Sequence, residues 1–327
     1  MKYKLIPKPN CLLCSSQDIR FLYFKFGRFI VKCKKCGLIF AIPQPSEEEI
    51  LSRYESPLFF NEYLKNFHAT YKEYDFQFIE KHYRIFLDLI RKLYFPGAKL
   101  LDVGCGAGFF LKAAIKEGWQ GEGVEISNLA ANYAENIVKI PIHRGSLESL
   151  SIPDESYDLI TMLDLLEHLL NPLGTLQTAY RLLKKGGYIF ACTPEFHSLS
   201  RLYLGKSWAV LSPAEHLFYF TSRSLSYLFK SACFKIKGIY NLLIFNPTYF
   251  HGDPNLRTKL WFRFHSWLEK QPFMEKLHGV EYLEIIKLAG ISTLSSSLSP
   301  SQKIKRSLYR KMKILLRGDI LCILAQK

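Results

Sequence analysis

The chain has 327 residues, of which 48% are hydrophobic and 15% are aromatic. This length corresponds to one large domain or two ordinary ones, and the apolar content supplies a buried core and excludes disordered, collagen-like and disulfide-scaffold proteins. The net charge of +15 suggests nucleic acid, an anionic membrane surface or a phosphorylated substrate as a partner.

The positive charge is concentrated in two blocks. Residues 1–36 carry nine Lys and Arg against one acid, and residues 254–317 carry 13 against four, whereas residues 37–253 are nearly balanced. No apolar run reaches the roughly 18 residues that span a bilayer, and the N-terminus lacks the apolar core of a signal peptide. We therefore expect a cytoplasmic protein whose cysteines are reduced.

Four of the eight cysteines form two pairs near the N-terminus. Two residues separate Cys11 from Cys14 and Cys33 from Cys36, and 18 residues lie between the pairs. This spacing is typical of structural Zn²⁺ sites, in which four thiolates complete the tetrahedral coordination and leave no position for a substrate. The stretch between the pairs is β-prone and predicts a hairpin. Residues 1–45 are therefore predicted to form a zinc ribbon.

Helical signals follow, and residues 46–95 are predicted to form a helical linker. Ser46 and Glu49 have the spacing of a capping box, and the hydrophobic period between residues 71 and 93 predicts a longer helix. From residue 96, strand and helix signals alternate, which predicts an α/β fold with a mainly parallel sheet. Strands are predicted at 99–104, 120–126, 140–145, 157–163, 187–193, 234–240 and 319–325, and helices at 108–117, 128–136, 172–184 and 222–232.

A glycine-rich turn follows the first of these strands, where Asp102 precedes Gly104, Gly106 and Gly108. Glycines allow the backbone to approach a ligand closely, and the N-terminus of the next helix suits a carboxylate or a phosphate. Glu125 ends the second strand, where a carboxylate can accept hydrogen bonds from both hydroxyls of a ribose. The nicotinamide fingerprint is excluded because a phenylalanine replaces its third glycine.

Four motifs occur in the order typical of class I S-adenosylmethionine (SAM)-dependent methyltransferases: LDVGCGAGFFL, GVEIS, SYDLITMLDLLEHLLNP and RLLKKGGYIFACTPE. The resemblance covers about residues 99–240. It implies a Rossmann-like, seven-stranded, mostly parallel sheet whose last strand runs antiparallel beside the fifth. The core would comprise residues 96–240 and 319–327, and residues 241–318 would be a basic, aromatic helical insertion that acts as a lid or docking element. The SAM-binding residues that the resemblance implies are Asp102, Gly104, Gly106, Gly108, Glu125, Ser146, Leu147 and Asp164.

The ribbon and the Glu-His pairs after the fourth and fifth strands narrow the resemblance to Methyltransferase-23-type enzymes and, more distantly, to sugar C-methyltransferases. In the sugar enzymes, histidines in the corresponding loops lie at the acceptor, which implies a catalytic set of His168, Glu215 and His216. Histidine suits the role of base toward a hydroxyl or an acidic C–H, and Glu215 would orient His216 or form a local salt bridge. The large C-terminal domain of the sugar enzymes has no counterpart in this sequence, so only the acceptor-side location is implied.

The sequence therefore predicts a SAM-dependent methyltransferase with a structural Zn²⁺ and a small-molecule, sugar or lipid-linked glycan acceptor. Residues 301–317 contain seven Lys and Arg and no acid, which predicts a basic helix that contacts an anionic membrane at its inner face or packs on the core. Two alternatives stay open. An RNA-directed methyltransferase would use the ribbon and the insertion for docking, although the Asn/Asp-Pro-Pro-aromatic turn used on exocyclic amines is missing. A non-catalytic interaction module would keep the fold without turnover.

Overall fold

The computed structural model describes residues 9–242, Arg263 and residues 318–327. The strands are β1 (Ile19–Lys25), β2 (Arg28–Cys33), β3 (Ile39–Ile42), β4 (Lys99–Val103), β5 (Gln120–Glu125), β6 (Ile142–Arg144), β7 (Tyr157–Leu163), β8 (Leu183–Pro194), β9 (Phe218–Tyr219), β10 (Lys235–Leu242) and β11 (Ile320–Gln326). The helices are α1 (Glu47–Tyr54), α2 (Pro57–Asn66), α3 (Phe76–Ile90), α4 (Phe109–Lys116), α5 (Asn128–Tyr133), α6 (Pro172–Leu182), α7 (Leu199–Leu204) and α8 (Ser222–Ser231).

The larger sheet has the strand order β10-β11-β8-β7-β4-β5-β6. Strands β4 to β8 pair in parallel, whereas β11 is antiparallel to both of its neighbours, β8 and β10. This topology confirms the predicted Rossmann-like, seven-stranded, mostly parallel sheet, with the last strand beside the fifth. The carboxyl ends of the parallel strands meet at one edge, which is where ligands bind in such sheets.

Both faces of this sheet are buried, which explains the continuous apolar runs of its strands. Neighbouring residues of β4 point to opposite faces, so that Leu100 belongs to one hydrophobic core and Leu101 to the other. The first core includes side chains of α3, α4 and α5, and the second includes side chains of α6 and α8. Helices therefore cover both faces, as the alternation of strands and helices predicts.

The helices of residues 46–95 agree with the prediction only in part. Ser46 and Glu49 make both hydrogen bonds of the predicted capping box. The helix predicted over residues 71–93 begins only at Phe76, because the Asp75 carboxylate caps it by accepting from the Phe78 backbone N–H. Helix α2 was not predicted, although Ser56 as N-cap and a proline in its first turn are typical helix-start signals. Helix α7 was not predicted either.

The smaller sheet joins the ribbon to the part of the core that follows β8, through the short strand β9, which was not predicted. Its order is β1-β2-β3-β9, and Ile39 and Phe40 of β3 pair with Tyr219 and Phe218 of β9. The guanidinium of Arg223 also donates to the backbone carbonyl of Lys35 at 2.6 Å. The ribbon predicted for residues 1–45 is therefore completed by a strand that lies far away in the sequence.

The insertion predicted for residues 241–318, and with it the basic helix predicted for 301–317, lies outside the described residues except at its ends and at Arg263. Leu242, at the end of β10, pairs with Ile320, at the start of β11, and the Gly318 N–H donates to Asn241 Oδ1 at 2.5 Å. The chain therefore leaves and re-enters the sheet at one place. Among the described helices, none has the length and apolarity required to cross a membrane.

Asp319, immediately before β11, is a buried carboxyl whose ionisation opposes folding. Its side chain is 1% exposed; Oδ2 accepts from the Ser200 hydroxyl at 2.7 Å, and Oδ1 has no hydrogen-bond partner. Burial raises the pKa of Asp319 from 3.8 to about 6, although hydrogen bonds from Ser200 and Ser198 lower it in part. The protonated form is therefore the one that the folded chain favours.

Because the folded-state pKa of Asp319 lies above the unfolded-state value, we expect the stability it contributes to be complete below about pH 4. Stability should then fall as the pH rises to about 6, by about 3 kcal/mol for this group. This part of the pH dependence should disappear in Asp319→Asn. Urea unfolding between pH 4 and pH 8 measures it, and an identical pH profile for the variant and the unsubstituted protein would contradict the assignment.

Candidate active site

A cavity of about 1370 Å³ lies at the carboxyl ends of the parallel strands. Helices α1 and α2 cover it, and they contribute aromatic side chains that include Tyr54, Phe60 and Tyr63. Small-ligand sites usually have volumes of about 300–1,000 Å³. The cavity is therefore large enough to hold two ligands side by side. Ile320 also lines it, so the chain re-enters the sheet at the wall of this cavity.

The glycine-rich turn after β4 forms part of the cavity wall, and glycine is required at two of its positions. Gly104 has φ +70°, and a Cβ atom there would lie 2.7 Å from Leu165 Cδ1. Gly106 has φ +54°, and a Cβ atom there would lie 2.7 Å from the Tyr63 hydroxyl oxygen. Any larger residue would combine backbone strain with a clash. The turn therefore keeps its backbone open to the cavity.

Gly108, the third predicted glycine, does not line the cavity. It is the N-cap of α4 and has φ +76°, and a Cβ atom there would lie 3.3 Å from Ala134 Cβ. The absence of a side chain therefore serves the packing of α4 against the chain around residue 134. The structure separates Gly108 from the other residues expected to bind SAM.

The carboxylate of Glu125 ties the glycine turn to the end of β5. Oε2 accepts from the Gly106 N–H and Oε1 from the Ser127 N–H, each at 2.8 Å. Burial raises the pKa of Glu125, while these hydrogen bonds from the backbone lower it. Because Glu125 also lines the cavity, its carboxylate is placed beside the turn and is available to a ligand.

The remaining predicted SAM residues, apart from Gly108, also line the cavity. Asp102 accepts from the Thr161 hydroxyl at 2.6 Å; burial raises the pKa of Asp102 to about 7, the Thr161 hydrogen bond lowers it in part, and the charge of Glu125 raises it further. Asp164, at the end of β7, has a left-handed backbone with φ 49°. The predicted SAM-binding residues that line the cavity are Asp102, Gly104, Gly106, Glu125, Ser146, Leu147 and Asp164.

Two histidines also line the cavity. The ring centroids of His168 and His216 are 4.7 Å apart. His168 Nδ1 lies 3.0 Å from the carbonyl of Glu215, and His216 Nδ1 lies 2.6 Å from the carbonyl of Val210. Because a carbonyl only accepts, both Nδ1 atoms carry the proton, and both Nε2 atoms carry a lone pair. Burial lowers the pKa of both histidines, to about 3 for His168.

Glu215 lines the cavity too, but its carboxylate pairs with Arg53 of α1 at 2.9 Å. Of the two roles expected for Glu215, the local salt bridge is the one observed. Its backbone carbonyl orients His168, and the Val210 carbonyl orients His216. Sequence reasoning missed Arg53 because nothing in the sequence relates α1 to a loop about 160 residues later.

Glu167 is the second residue whose position the sequence analysis missed. Its side chain is 1% exposed, and neither carboxylate oxygen has a hydrogen-bond partner. Burial raises the pKa of Glu167 far above its usual value, and the charge of Asp164 adds to this. The Thr193 hydroxyl offsets the rise in part without reaching hydrogen-bonding geometry. Glu167 lines the cavity next to His168, and the Glu-His pair in the sequence was the available signal.

The cover formed by α1 and α2 is anchored to α5. The backbone carbonyl of Tyr54 accepts from the Ser127 hydroxyl at 2.9 Å, and the Glu55 carboxylate accepts from the Asn128 N–H at 2.6 Å. The segment predicted as a linker, residues 46–95, therefore supplies one wall of the cavity.

The four predicted zinc ligands come together in the ribbon, away from the cavity. The Sγ atoms of Cys11, Cys14, Cys33 and Cys36 all lie within 4.8 Å of one another, with Cys11 3.5 Å from Cys36 and Cys14 3.6 Å from Cys33. Zn–S bonds of about 2.3 Å in a tetrahedron place the sulfurs about 3.8 Å apart. The donor set and its spacing therefore fit Zn²⁺.

Residues 71–237, just over half of the chain, match the family model described as a methyltransferase domain. The chain belongs to this methyltransferase family. The ubiquinone biosynthesis O-methyltransferase of Nitrosospira multiformis is 29% identical over 122 residues, which are 36% of this chain and 47% of that protein. The chain thus spans about half the length of the curated relatives it matches.

Solved structures agree with the fold of this methyltransferase domain. A SAM-dependent methyltransferase from Archaeoglobus fulgidus has a TM-score of 0.50 and 18% identity, covering 81% of this chain and 98% of that one. A SAM-dependent methyltransferase from Thermotoga maritima, described as a possible histamine N-methyltransferase, has a TM-score of 0.51 and 19% identity, covering 85% and 99%. At these identities the likeness shows the fold. Together with the family match, it places the domain in the SAM-dependent methyltransferase class.

Proposed function

We propose that this protein transfers a methyl group from SAM to a hydroxyl of a small-molecule acceptor inside the cavity. One observation carries the proposal: the glycine turn with Glu125 and the pair His168 and His216 line a single cavity. Its volume of about 1370 Å³ suits a donor and an acceptor bound together. SAM would lie toward the turn, and the acceptor would lie toward the histidines.

The residues on the SAM side fit this ligand. When bound, SAM supplies a methyl group that its sulfonium has already activated. Gly104 and Gly106 would admit the methionine part next to the backbone, with Asp102 and Asp164 beside it. Glu125 would accept hydrogen bonds from the ribose hydroxyls. Ser146 and Leu147 would flank the adenine, as the resemblance implies.

The acceptor side would align the acceptor and remove its proton. Alignment contributes up to about 7–11 kcal/mol, and a positioned base contributes about 10²–10⁴-fold in rate. His216 is the proposed base because it lines the cavity and its Nδ1 is bonded to the Val210 carbonyl, which leaves the lone pair on Nε2. His168 would lie at the acceptor with it, and Glu215 would hold His168 through its backbone carbonyl and α1 through its carboxylate.

The lining of the cavity supports an acceptor with an apolar or aromatic body. Helices α1 and α2 direct Tyr54, Phe59 and Phe60 toward it, and aromatic walls favour such ligands. The name of the Nitrosospira relative, which specifies O-methyl transfer in ubiquinone biosynthesis, also supports a small molecule with a hydroxyl. Sugar and lipid-linked glycan acceptors stay proposals. The RNA-directed alternative and the membrane contact rest mainly on residues 254–317, which are outside the described residues apart from Arg263.

We also propose that Cys11, Cys14, Cys33 and Cys36 hold one Zn²⁺ with a structural role. Four thiolates occupy all tetrahedral positions, and none of the four cysteines lines the cavity. The metal would fix the two turns that carry the cysteine pairs and would hold the ends of the ribbon sheet together.

Replacing His216 with alanine tests the acceptor side. Incubation with methyl-labelled SAM and fractionated cell extract first identifies the fraction that accepts label. With that fraction we expect turnover of His216→Ala to fall by about 10²–10⁴-fold, while calorimetry gives an unchanged Kd for SAM. His143→Ala is the matched control, because His143 pairs with Glu122 at 2.7 Å and does not line the cavity. Full turnover in His216→Ala would refute the role of His216, and absence of both SAM binding and labelling in the unsubstituted protein would refute the function.

A further inference from the structure

Three potential metal ligands come together at the acceptor side of the cavity. Glu167, His168 and His216 each offer one ligand atom, and these atoms lie within 4.8 Å of one another; Glu167 Oε1 and His168 Nε2 are 4.0 Å apart. A tetrahedral cation with bonds of about 2.0–2.2 Å holds its N and O ligands about 3.3–3.6 Å apart. Movements of less than about 1 Å per side chain would therefore close the site. We infer that these residues bind one divalent transition-metal cation.

Both histidines are held in the tautomer that a metal requires. The backbone carbonyls of Glu215 and Val210 take the Nδ1 protons, which leaves Nε2 as the unprotonated nitrogen of each ring. Metal-binding histidines almost always have such a partner on the other nitrogen, which fixes the tautomer and the orientation of the ring. A single histidine would suffice as a base, whereas here each of two adjacent rings has its Nδ1 bonded to a backbone carbonyl.

Glu167 supplies the independent observation. A buried carboxylate without a hydrogen-bond partner is costly unless another group compensates it, and both oxygens of Glu167 lack such a partner while only 1% of its side chain is exposed. A cation at the cavity wall would compensate this carboxylate. The chemistry of the ligand set thus accounts for a side chain that the rest of the site leaves unexplained.

The backbone holds the three ligands on a rigid frame. The Glu167 carbonyl accepts from the N–H groups of Leu217 and Phe218 at 2.8 and 3.1 Å. These bonds, together with the bond from His168 to the Glu215 carbonyl, tie the loop after β7 to the loop that carries His216. A carboxylate and two imidazoles suit Zn²⁺, Fe²⁺, Mn²⁺ or Co²⁺. Three protein ligands also leave coordination positions toward the cavity.

The role of the cation rests on the proposed function. The acceptor hydroxyl would take a free coordination position, which lowers its pKa, and its proton would pass to water in the cavity. The oxygen would then form a bond to the methyl carbon while the carbon–sulfur bond of SAM breaks, with both electrons staying on sulfur. His216 would act as a ligand in this arrangement, and the cation would replace it as the group that activates the hydroxyl.

Mn²⁺ is the best probe because four thiolates favour Zn²⁺, whereas carboxylate and imidazole ligands accept Mn²⁺. The zinc-loaded full chain is treated with a mild chelator and titrated with Mn²⁺, and free Mn²⁺ is measured by electron paramagnetic resonance. We expect one Mn²⁺ per chain, with the affinity reduced at least tenfold in Glu167→Gln and in His216→Ala. Circular dichroism confirms that both variants fold. Glu122→Gln is the matched control, since it alters a Glu-His pair at the surface, and it should bind Mn²⁺ normally.

The outcomes separate the inference from the proposed function. The metal site is overturned if the chain binds no Mn²⁺ and mass spectrometry finds only one Zn²⁺ per chain. It is also overturned if Mn²⁺ binds but neither Glu167→Gln nor His216→Ala weakens the binding. Turnover that survives the chelator unchanged but is lost in His216→Ala also overturns the role of the cation, and leaves the base assignment standing. Binding of Mn²⁺ that requires Glu167 and His216 supports the site even if no acceptor is labelled, in which case only the proposed function fails.

Discussion

Replacing Cys33 with serine is expected to lower the free energy of unfolding by more than about 4 kcal/mol, since structural Zn²⁺ contributes about 10–16 kcal/mol to folding in small domains. Cys33 is fully buried, and its loss leaves three thiolates, which bind the metal more weakly. The outer strand and the hairpin turn of the ribbon have few buried contacts, since Phe21, Phe24 and Phe26 are more than half exposed, whereas Ile39 and Phe40 of β3 are fully buried. The metal would therefore mainly stabilise the end of the ribbon that carries the cysteine pairs.

Urea unfolding and zinc analysis by mass spectrometry measure this effect. Cys33→Ser should lose one Zn²⁺ per chain and unfold at lower urea concentration, whereas Cys233→Ser should match the unsubstituted protein, because Cys233 is exposed and lies outside the cluster. Strong chelation of the unsubstituted protein should reproduce the effect of Cys33→Ser. Equal stability of the two variants would contradict a structural role for Cys33 and for a metal bound at the cluster.

Loss of the ribbon should impair turnover more than SAM binding. Strand β9 pairs with β3 of the ribbon and begins two residues after His216, and the Ala41 N–H donates to the Leu217 carbonyl at 2.9 Å. The loop that carries His216 is thus held by the ribbon, whereas β4 and β5, which carry the glycine turn and Glu125, pair only within the larger sheet. The two halves of the cavity therefore depend on different parts of the chain.

Those parts of the fold that depend on local sequence could be predicted. The period of the apolar residues located the strands of the larger sheet, and turn chemistry located the glycine loop, since Gly104 and Gly106 are required by backbone φ and by close contacts that no other residue tolerates. The spacing of the cysteines likewise indicated a tetrahedral cluster, because two short turns suffice to bring four thiolates together.

The rest depends on contacts between segments far apart in the chain. Strand β9 has two residues, too few for any period, and exists because β3 offers it a hydrogen-bonding edge. The partner of Glu215 is Arg53, and the unusual state of Glu167 arises from burial and not from its neighbours in the sequence. The SAM-binding role of Gly108 stays a prediction, since this glycine is outside the cavity lining and lies close to Ala134, a contact that the motif alone does not reveal.

Replacing Glu125 with alanine is expected to weaken SAM binding by about 2–5 kcal/mol, the usual cost of removing one partner of a buried, charged hydrogen-bond group. This corresponds to a Kd increased by about 30-fold to several thousand-fold. Two losses combine: the carboxylate that would accept from the ribose disappears, and the N–H groups of Gly106 and Ser127 lose their acceptor. The turn would then no longer be fixed in the conformation that admits the ligand.

In Glu125→Ala we expect the free energy of unfolding to change much less than the affinity for SAM. This difference would identify Glu125 as a binding residue. Burial disfavours the ionised carboxylate and raises its pKa, so the folded chain without SAM gains little from it, and removal should change the free energy of unfolding much less than the affinity. Calorimetry with SAM and urea unfolding without SAM measure the two quantities. Glu122→Gln, on the same strand but paired with His143 at the surface, should leave both unchanged. A Glu125→Ala variant that loses stability but keeps its Kd for SAM would make Glu125 a residue of the fold and not of the cofactor site.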